Sequence, residues 1–253
     1  MRSPAETGHK ATAGTAVAQD LQIAGLVPLS TVDMPGRLVA TAFCQGCPWR
    51  CFYCHNAEIL DRSAAGTVSF DELEDLLRRR RGLLDGVVFS GGEATRQAAL
   101  IPAAEVVRDA GFDVGLHTGG MYPSRIKALL DAGVLNWVGF DLKADPERYS
   151  DVVEAPTAWW KIRQSLEMIL GTGIDHEVRM TVTPEIADHV EPVLQAAMAV
   201  GATNFALQQA HPPAATESGR ERAWTDPEWD ARFTELAEHV DSAGFPEVTI
   251  RRR

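Results

Sequence analysis

Along most of the chain, short apolar runs alternate with stretches of helical periodicity. Leu38-Val39-Ala40-Thr41-Ala42-Phe43 reads as a buried strand. Ser69-Phe70-Asp71-Glu72 is a capping box with Leu73, Leu76 and Leu77 at helical spacing behind it. Gly86 to Ser90 is a second strand, and 97–110 a helix stopped by Gly111. The alternation continues with a strand over 112–117, a helix over 123–132 and a strand over 137–142. Thr157 is placed to cap a helix carrying Ile162, Leu166, Ile169 and Leu170. A strand over 176–183, a helix over 184–200 and a strand over 204–208 follow. Asp226-Pro227 opens a last helix, and 247–250 can form a final strand.

Strands of this kind, apolar on both faces, predict a parallel sheet covered by helices. The βα unit recurs about six times, short of the eight that close a full barrel. The expected architecture is α/β, a partial (β/α)6 TIM-like barrel whose site is built by loops at the strand C-terminal ends. An open doubly wound sheet has the same one-dimensional pattern. The chemically notable residues fall at those ends: cysteines after the first strand, Gly91-Gly92 after the second, His117-Thr118 after the third, Asp141 and Lys143 after the fourth.

Charge narrows the function classes. Asp and Glu outnumber Lys and Arg 35 to 24, a formal net charge of −11, which argues against a nucleic-acid partner. No stretch approaches the roughly 20 apolar residues that span a bilayer, and no signal peptide is evident at the N-terminus. Residues 1–20 read as a flexible tail, 21–253 as one domain, and the expected location is the cytoplasm.

All four cysteines lie between Cys44 and Cys54, a clustering that points to metal or redox chemistry rather than to disulfide staples. Cys47, Cys51 and Cys54 have the spacing C-x3-C-x2-C. Three thiolates on one loop can wrap an iron–sulfur cluster and leave one iron open to another ligand. A zinc site with Cys44 as a fourth ligand, and a redox pair formed by Cys44 and Cys47, are the competing readings.

C-x3-C-x2-C with an aromatic residue, here Tyr53, before the last cysteine resembles the radical S-adenosylmethionine (SAM) superfamily. Ser90-Gly91-Gly92-Glu93-Ala94 looks like that family's GGE motif, with Ala94 where proline is common. Thr31-Val32-Asp33-Met34-Pro35-Gly36 resembles the S/T-x-x-D-x-P-G lead-in of activating enzymes for glycyl radical proteins. The cluster loop Gln45 to Asn56 and Asp141-Leu142-Lys143, a D-x-K motif, resemble the same group, and most of all the short activating proteins of anaerobic ribonucleoside-triphosphate reductase. The similarity covers roughly 21–209.

The resemblance implies a radical SAM oxidoreductase carrying a [4Fe–4S] cluster on Cys47, Cys51 and Cys54. Reductive cleavage of SAM there yields methionine and a 5′-deoxyadenosyl radical. Gly91, Gly92 and Glu93 would receive the methionine ammonium, Asp141 and Lys143 the ribose and carboxylate. Arg179 would pair with a ligand carboxylate or form a structural salt bridge. His117 and Thr118 reach towards the ribose, or His117 is a satisfied core histidine. Tyr53 would stack near the adenine or shield the cluster, and Gln208 and His211 are candidates for the adenine end. Trp159 and Trp160 read as core or interface.

The implied partner is a glycyl radical enzyme, anaerobic ribonucleotide reductase, with flavodoxin or ferredoxin as electron donor. The alternatives are radical SAM chemistry on a small molecule or nucleobase, as in 7-carboxy-7-deazaguanine synthases, and a metal-binding module without SAM chemistry.

Overall fold

The computed structural model describes residues 16–211 and 224–253. A single eight-stranded sheet runs in chain order: β1 (Ile23–Ser30), β2 (Val39–Cys44), β3 (Gly86–Gly91), β4 (Asp113–Thr118), β5 (Trp137–Asp141), β6 (Asp175–Val182), β7 (Asn204–Gln209) and β8 (Glu247–Arg251). β1 is antiparallel to β2, and every later pair is parallel. β1 and β8 are the edges, so the sheet is open.

The connecting helices are α1 (Phe70–Arg79), α2 (Leu100–Asp109), α3 (Pro123–Asp131), the short α4 (Tyr149–Val152), α5 (Trp159–Gly171), α6 (Val190–Ala199) and α7 (Pro227–Asp241). Ser69 and Glu72 form the capping box at α1: the Glu72 N–H donates to Ser69 Oγ and the Ser69 N–H to Glu72 Oε1, at 3.3 and 3.0 Å. Asp226 caps α7 by accepting from the Glu228 N–H at 2.9 Å.

β2 to β5 carry almost wholly buried sequences because helices cover one face and lumen side chains fill the other. The lumen has its own floor. Met34, Val39, Val88 and Trp137 form a small buried cluster apart from the main core, so the lead-in segment after β1 turns inward and plugs the sheet from below.

Three local expectations change. Thr157 does not cap α5, whose N-cap is Ala158 without a side-chain bond. Thr157 Oγ1 instead accepts from Trp49 Nε1 at 2.9 Å, tying the cysteine loop to the approach of α5. The helix expected over 184–200 is split, with a 3-10 segment Pro184–His189 that departs from helical angles at Ile186 and then α6. The tail expected over 1–20 ends earlier, since Ala18–Asp20 form a 3-10 turn with Ala18 buried in the core; residues 1–15 lie outside the described residues.

Candidate functional site

A cavity of about 690 Å³ opens at the C-terminal ends of the parallel strands. Every site residue expected from the sequence lines it: Cys47, Cys51, Tyr53 and Cys54; Gly91, Gly92 and Glu93; His117 and Thr118; Asp141 and Lys143; Arg179; Gln208; and His211. Among the described residues, no three His, Cys, Asp or Glu side chains converge where one metal ion could sit. The three thiols line the same cavity. Cys44 is fully buried in the core and takes no part in that wall.

Burial pushes the thiols up, to about 12 at Cys47 and about 11 at Cys51, and raises Cys54 as well. Such thiols stay protonated at neutral pH unless a metal takes the proton's place.

The strand-end glycines set the spacing of the site. A Cβ on Gly92 would collide with the Gly46 carbonyl and come within 3.2 Å of the Cys47 N. The Glu93 N–H donates to Gly46 O at 3.0 Å and the Gly92 N–H to Cys44 O at 2.9 Å. The GGE segment and the cysteine loop are thus stitched backbone to backbone, which only an unsubstituted residue permits.

Glu93 is buried and already well served. Oε1 accepts from the Thr95 N–H, the Thr95 hydroxyl and, at 2.8 Å, the Thr118 hydroxyl; Oε2 accepts from the Gly119 N–H at 2.9 Å. Burial raises its pKa, opposed by these hydrogen bonds. Oε2 keeps acceptor capacity towards the cavity it lines.

Behind these lies a polar network that the sequence alone does not show. Arg179 donates through Nε to Asp141 Oδ1 at 2.9 Å, with Nη2 at 2.9 Å from the same oxygen. Lys143 Nζ stands 3.6 Å from Asp141 Oδ2 and lies over the Trp49 ring. Burial pushes the Asp141 carboxyl up, but Arg179 and Lys143 outweigh it and hold the group at about 2. Burial disfavours the Lys143 charge, but Asp141, together with the neighbouring Tyr53, Cys51 and Tyr149 groups, outweighs it and raises the lysine above its ordinary value. Arg179 thus pairs with Asp141 and faces the cavity that both residues line.

His117 sits at the centre. Nδ1 is 3.1 Å from Ser90 Oγ, while Nε2 is 2.7 Å from the Asp33 carbonyl and 3.0 Å from Arg179 Nη1. A protonated Nε2 serves the carbonyl and a bare one serves the arginine, so no tautomer satisfies both. Burial and the arginine lower the imidazole to about 4, so it is neutral at physiological pH.

Asp33 is the residue that sequence reasoning left out of the site. Its carbonyl meets His117, and its carboxylate accepts from Thr41 Oγ1 at 2.6 Å. Its place in the lead-in motif was the available signal. Thr95 and Gly119, which hold Glu93, carried none. Further down the lumen, buried Glu177 makes a bidentate pair with Arg251, at 2.7 and 2.8 Å. Arg251 also donates to Gln208 Oε1 at 3.2 Å, and Gln208 Nε2 to Thr181 Oγ1 at 3.1 Å, fixing the orientation of the Gln208 amide.

The radical SAM superfamily model matches residues 41–197. The putative glycyl-radical enzyme activating enzyme MJ1227 of Methanocaldococcus jannaschii is 29% identical over 198 residues, 75% of this chain and 80% of the relative. The pyruvate formate-lyase-activating enzyme of Clostridium pasteurianum is 26% identical over 178 residues, 68% and 73% of the two chains. Among solved structures, native anSMEcpe with bound AdoMet superposes with a TM-score of 0.61 at 21% identity, over 82% of this chain and 62% of that one; this likeness bears on the fold.

The matched model implies a [4Fe–4S] cluster and SAM, and three features of the cavity fit them. The donor set is three thiols on one wall. The Tyr53 hydroxyl is buried in the same wall without a hydrogen-bond partner among the described residues, a costly state that a bound polar ligand relieves. The GGE segment, packed against the cysteine loop, brings the buried Glu93 carboxylate to the same cavity.

Proposed function

We propose that this chain, which belongs to the radical SAM superfamily, is an activase that installs a glycyl radical on a partner enzyme, anaerobic ribonucleoside-triphosphate reductase. The observation that carries this reading is the convergence on one cavity of three thiols, the GGE segment and the D-x-K pair. Kinship with glycyl-radical enzyme activating enzymes over most of the chain supports it. The choice of reductase rests on the lead-in and cluster-loop resemblance.

Cys47, Cys51 and Cys54 hold the cluster. Glu93 Oε2, next to the bare Gly91-Gly92 backbone, takes the methionine ammonium. Lys143, kept charged by Asp141, addresses the carboxylate and ribose, with Thr118 and the neutral His117 on the ribose side. Tyr53 donates its unpaired hydroxyl to the ligand, and Gln208, its amide held by Arg251 and Thr181, reads the adenine end. Arg179 fixes Asp141 and is a positioning residue. When bound, the cluster and SAM together supply one-electron cleavage of a carbon–sulfur bond and removal of a hydrogen atom from the target glycine. The protein's share is alignment and exclusion of water.

The test is co-incubation of reconstituted protein, SAM and reductant with the reductase under argon. A glycyl radical signal in the electron paramagnetic resonance spectrum, lost when the target glycine is replaced by alanine, is the expected result. SAM cleavage without that signal would favour a small-molecule substrate instead.

A further inference from the structure

The cysteine loop has a second side. A surface depression of about 250 Å³ lies outside the main cavity and is lined by Cys47, Arg50, Asp61 and Arg62 among others. Cys47 and Leu60 line both spaces. At this point the wall between the solvent and the cluster-binding side is one residue thick.

The rim of this depression is cationic, in a chain of net charge −11. Arg50 and Arg62 are exposed. Arg96 packs against Gly46, where a Cβ would meet its Nη2 at 2.8 Å and the Arg62 Cα at 3.1 Å. Arg50 and Arg62 line the depression beside Cys47, and the half-buried Arg96 lies behind Gly46. None has an ion-pair partner within 4.0 Å among the described residues. Among the described residues, Arg96 makes one long bond, 3.4 Å to Gln45 O, and its buried Nε has no partner. The acid on this rim, Asp61, is turned to Ser63, whose N–H and hydroxyl both donate to its Oδ1.

Unpaired arginines held together on an otherwise acidic protein create a local positive potential, the kind that steers an oppositely charged partner and fixes its register. Cys47 backs the same spot, so a redox centre docked there is separated from the cluster side by that residue.

We propose that Arg50 and Arg62, with the charge of Arg96 behind Gly46, form the docking face for an acidic one-electron carrier protein, which delivers its electron across Cys47. The inference rests on the reading of Cys47 as a cluster ligand. One electron leaves the reduced carrier and reduces the cluster by one, with no proton or group transferred.

The test uses reduced flavodoxin as the acidic carrier and compares wild type with Arg50→Glu, Arg62→Glu and the double variant, all reconstituted. Binding of flavodoxin is measured by calorimetry between 50 and about 300 mM salt. The wild type is expected to bind with an affinity that falls about tenfold or more over that range, and the double variant to lose at least tenfold at low salt. SAM cleavage driven by flavodoxin should fall in parallel, while cleavage driven by dithionite, which needs no docking, stays within about twofold of wild type. Equal flavodoxin affinity in wild type and the double variant, or binding indifferent to salt, would overturn the proposal. Absence of dithionite-driven cleavage in the wild type would instead strike at the radical SAM reading itself.

Discussion

Replacing Asp141 by alanine isolates the tightest electrostatic contact in the site. Arg179 is nearly enclosed, with its side chain 9% exposed against 29% for Asp141. Two magnitudes bear on the pair. The carboxyl falls from 3.8 to about 2, which at 1.36 kcal/mol per unit corresponds to about 2 kcal/mol between charged and protonated forms. Because the folded pKa is the lower one, this stability is present above about pH 4 and lost as pH falls towards 2. Deletion is harsher, since it leaves a buried guanidinium with only His117 and no anion, and breaking such a pair costs roughly 3–5 kcal/mol. The partial exposure of Asp141 places the expectation at about 3 kcal/mol. Urea unfolding of the metal-free protein at pH 7 measures it, and the double variant Asp141→Ala/Arg179→Met should recover at least half of the loss. A single-variant cost below about 1 kcal/mol, or a double variant no better than the single, would refute the claim that Asp141 compensates Arg179.

Other consequences follow from the same geometry. Gly92→Ala forces the GGE segment away from Gly46 and Cys47, and should cost about 1–3 kcal/mol and lower iron content per chain after reconstitution. Undiminished stability and iron would show that the close approach is not required. Tyr53→Phe removes a buried hydroxyl without a partner among the described residues, so the SAM-free protein should be as stable as wild type or slightly more, while SAM binds several-fold more weakly by calorimetry; destabilisation of the SAM-free form would contradict this. His117 is held near 4 against an ordinary 6.5. Its neutral form therefore supports the fold above about pH 6.5, and this support fades as pH drops towards 4. His117→Gln should flatten that part of the stability profile, and a variant with the wild-type slope would count against it.

Legibility in the sequence followed locality. β2 to β5 were readable because each is a largely buried apolar run with turn signals around it, and α1 because its capping box lies within four consecutive residues. β1 was not recognised as a strand. It is an edge strand with Pro28 at a register shift between Val27 and Ser30, and Val27, Pro28 and Leu29 all exposed, so it lacks the burial pattern that marks β2 to β5. Thr157 looked like a cap because Thr favours that position, yet its hydroxyl is claimed by Trp49, 108 residues away. The site residues themselves were legible as strand-end motifs. Their mutual arrangement was not: the Arg179–Asp141 pair joins residues 38 apart, His117 meets Asp33 across 84, and Glu177 meets Arg251 across 74. Such pairings are decided by sheet register, which one-dimensional spacing does not encode.

The most direct test of the central claim is anaerobic reconstitution with iron and sulfide, followed by dithionite and SAM, with 5′-deoxyadenosine quantified by chromatography and Cys51→Ala as control. The account predicts 5′-deoxyadenosine and methionine in equal amounts from the wild type and none above background from Cys51→Ala. A wild-type protein that loads its cluster and binds SAM yet releases no 5′-deoxyadenosine would contradict it.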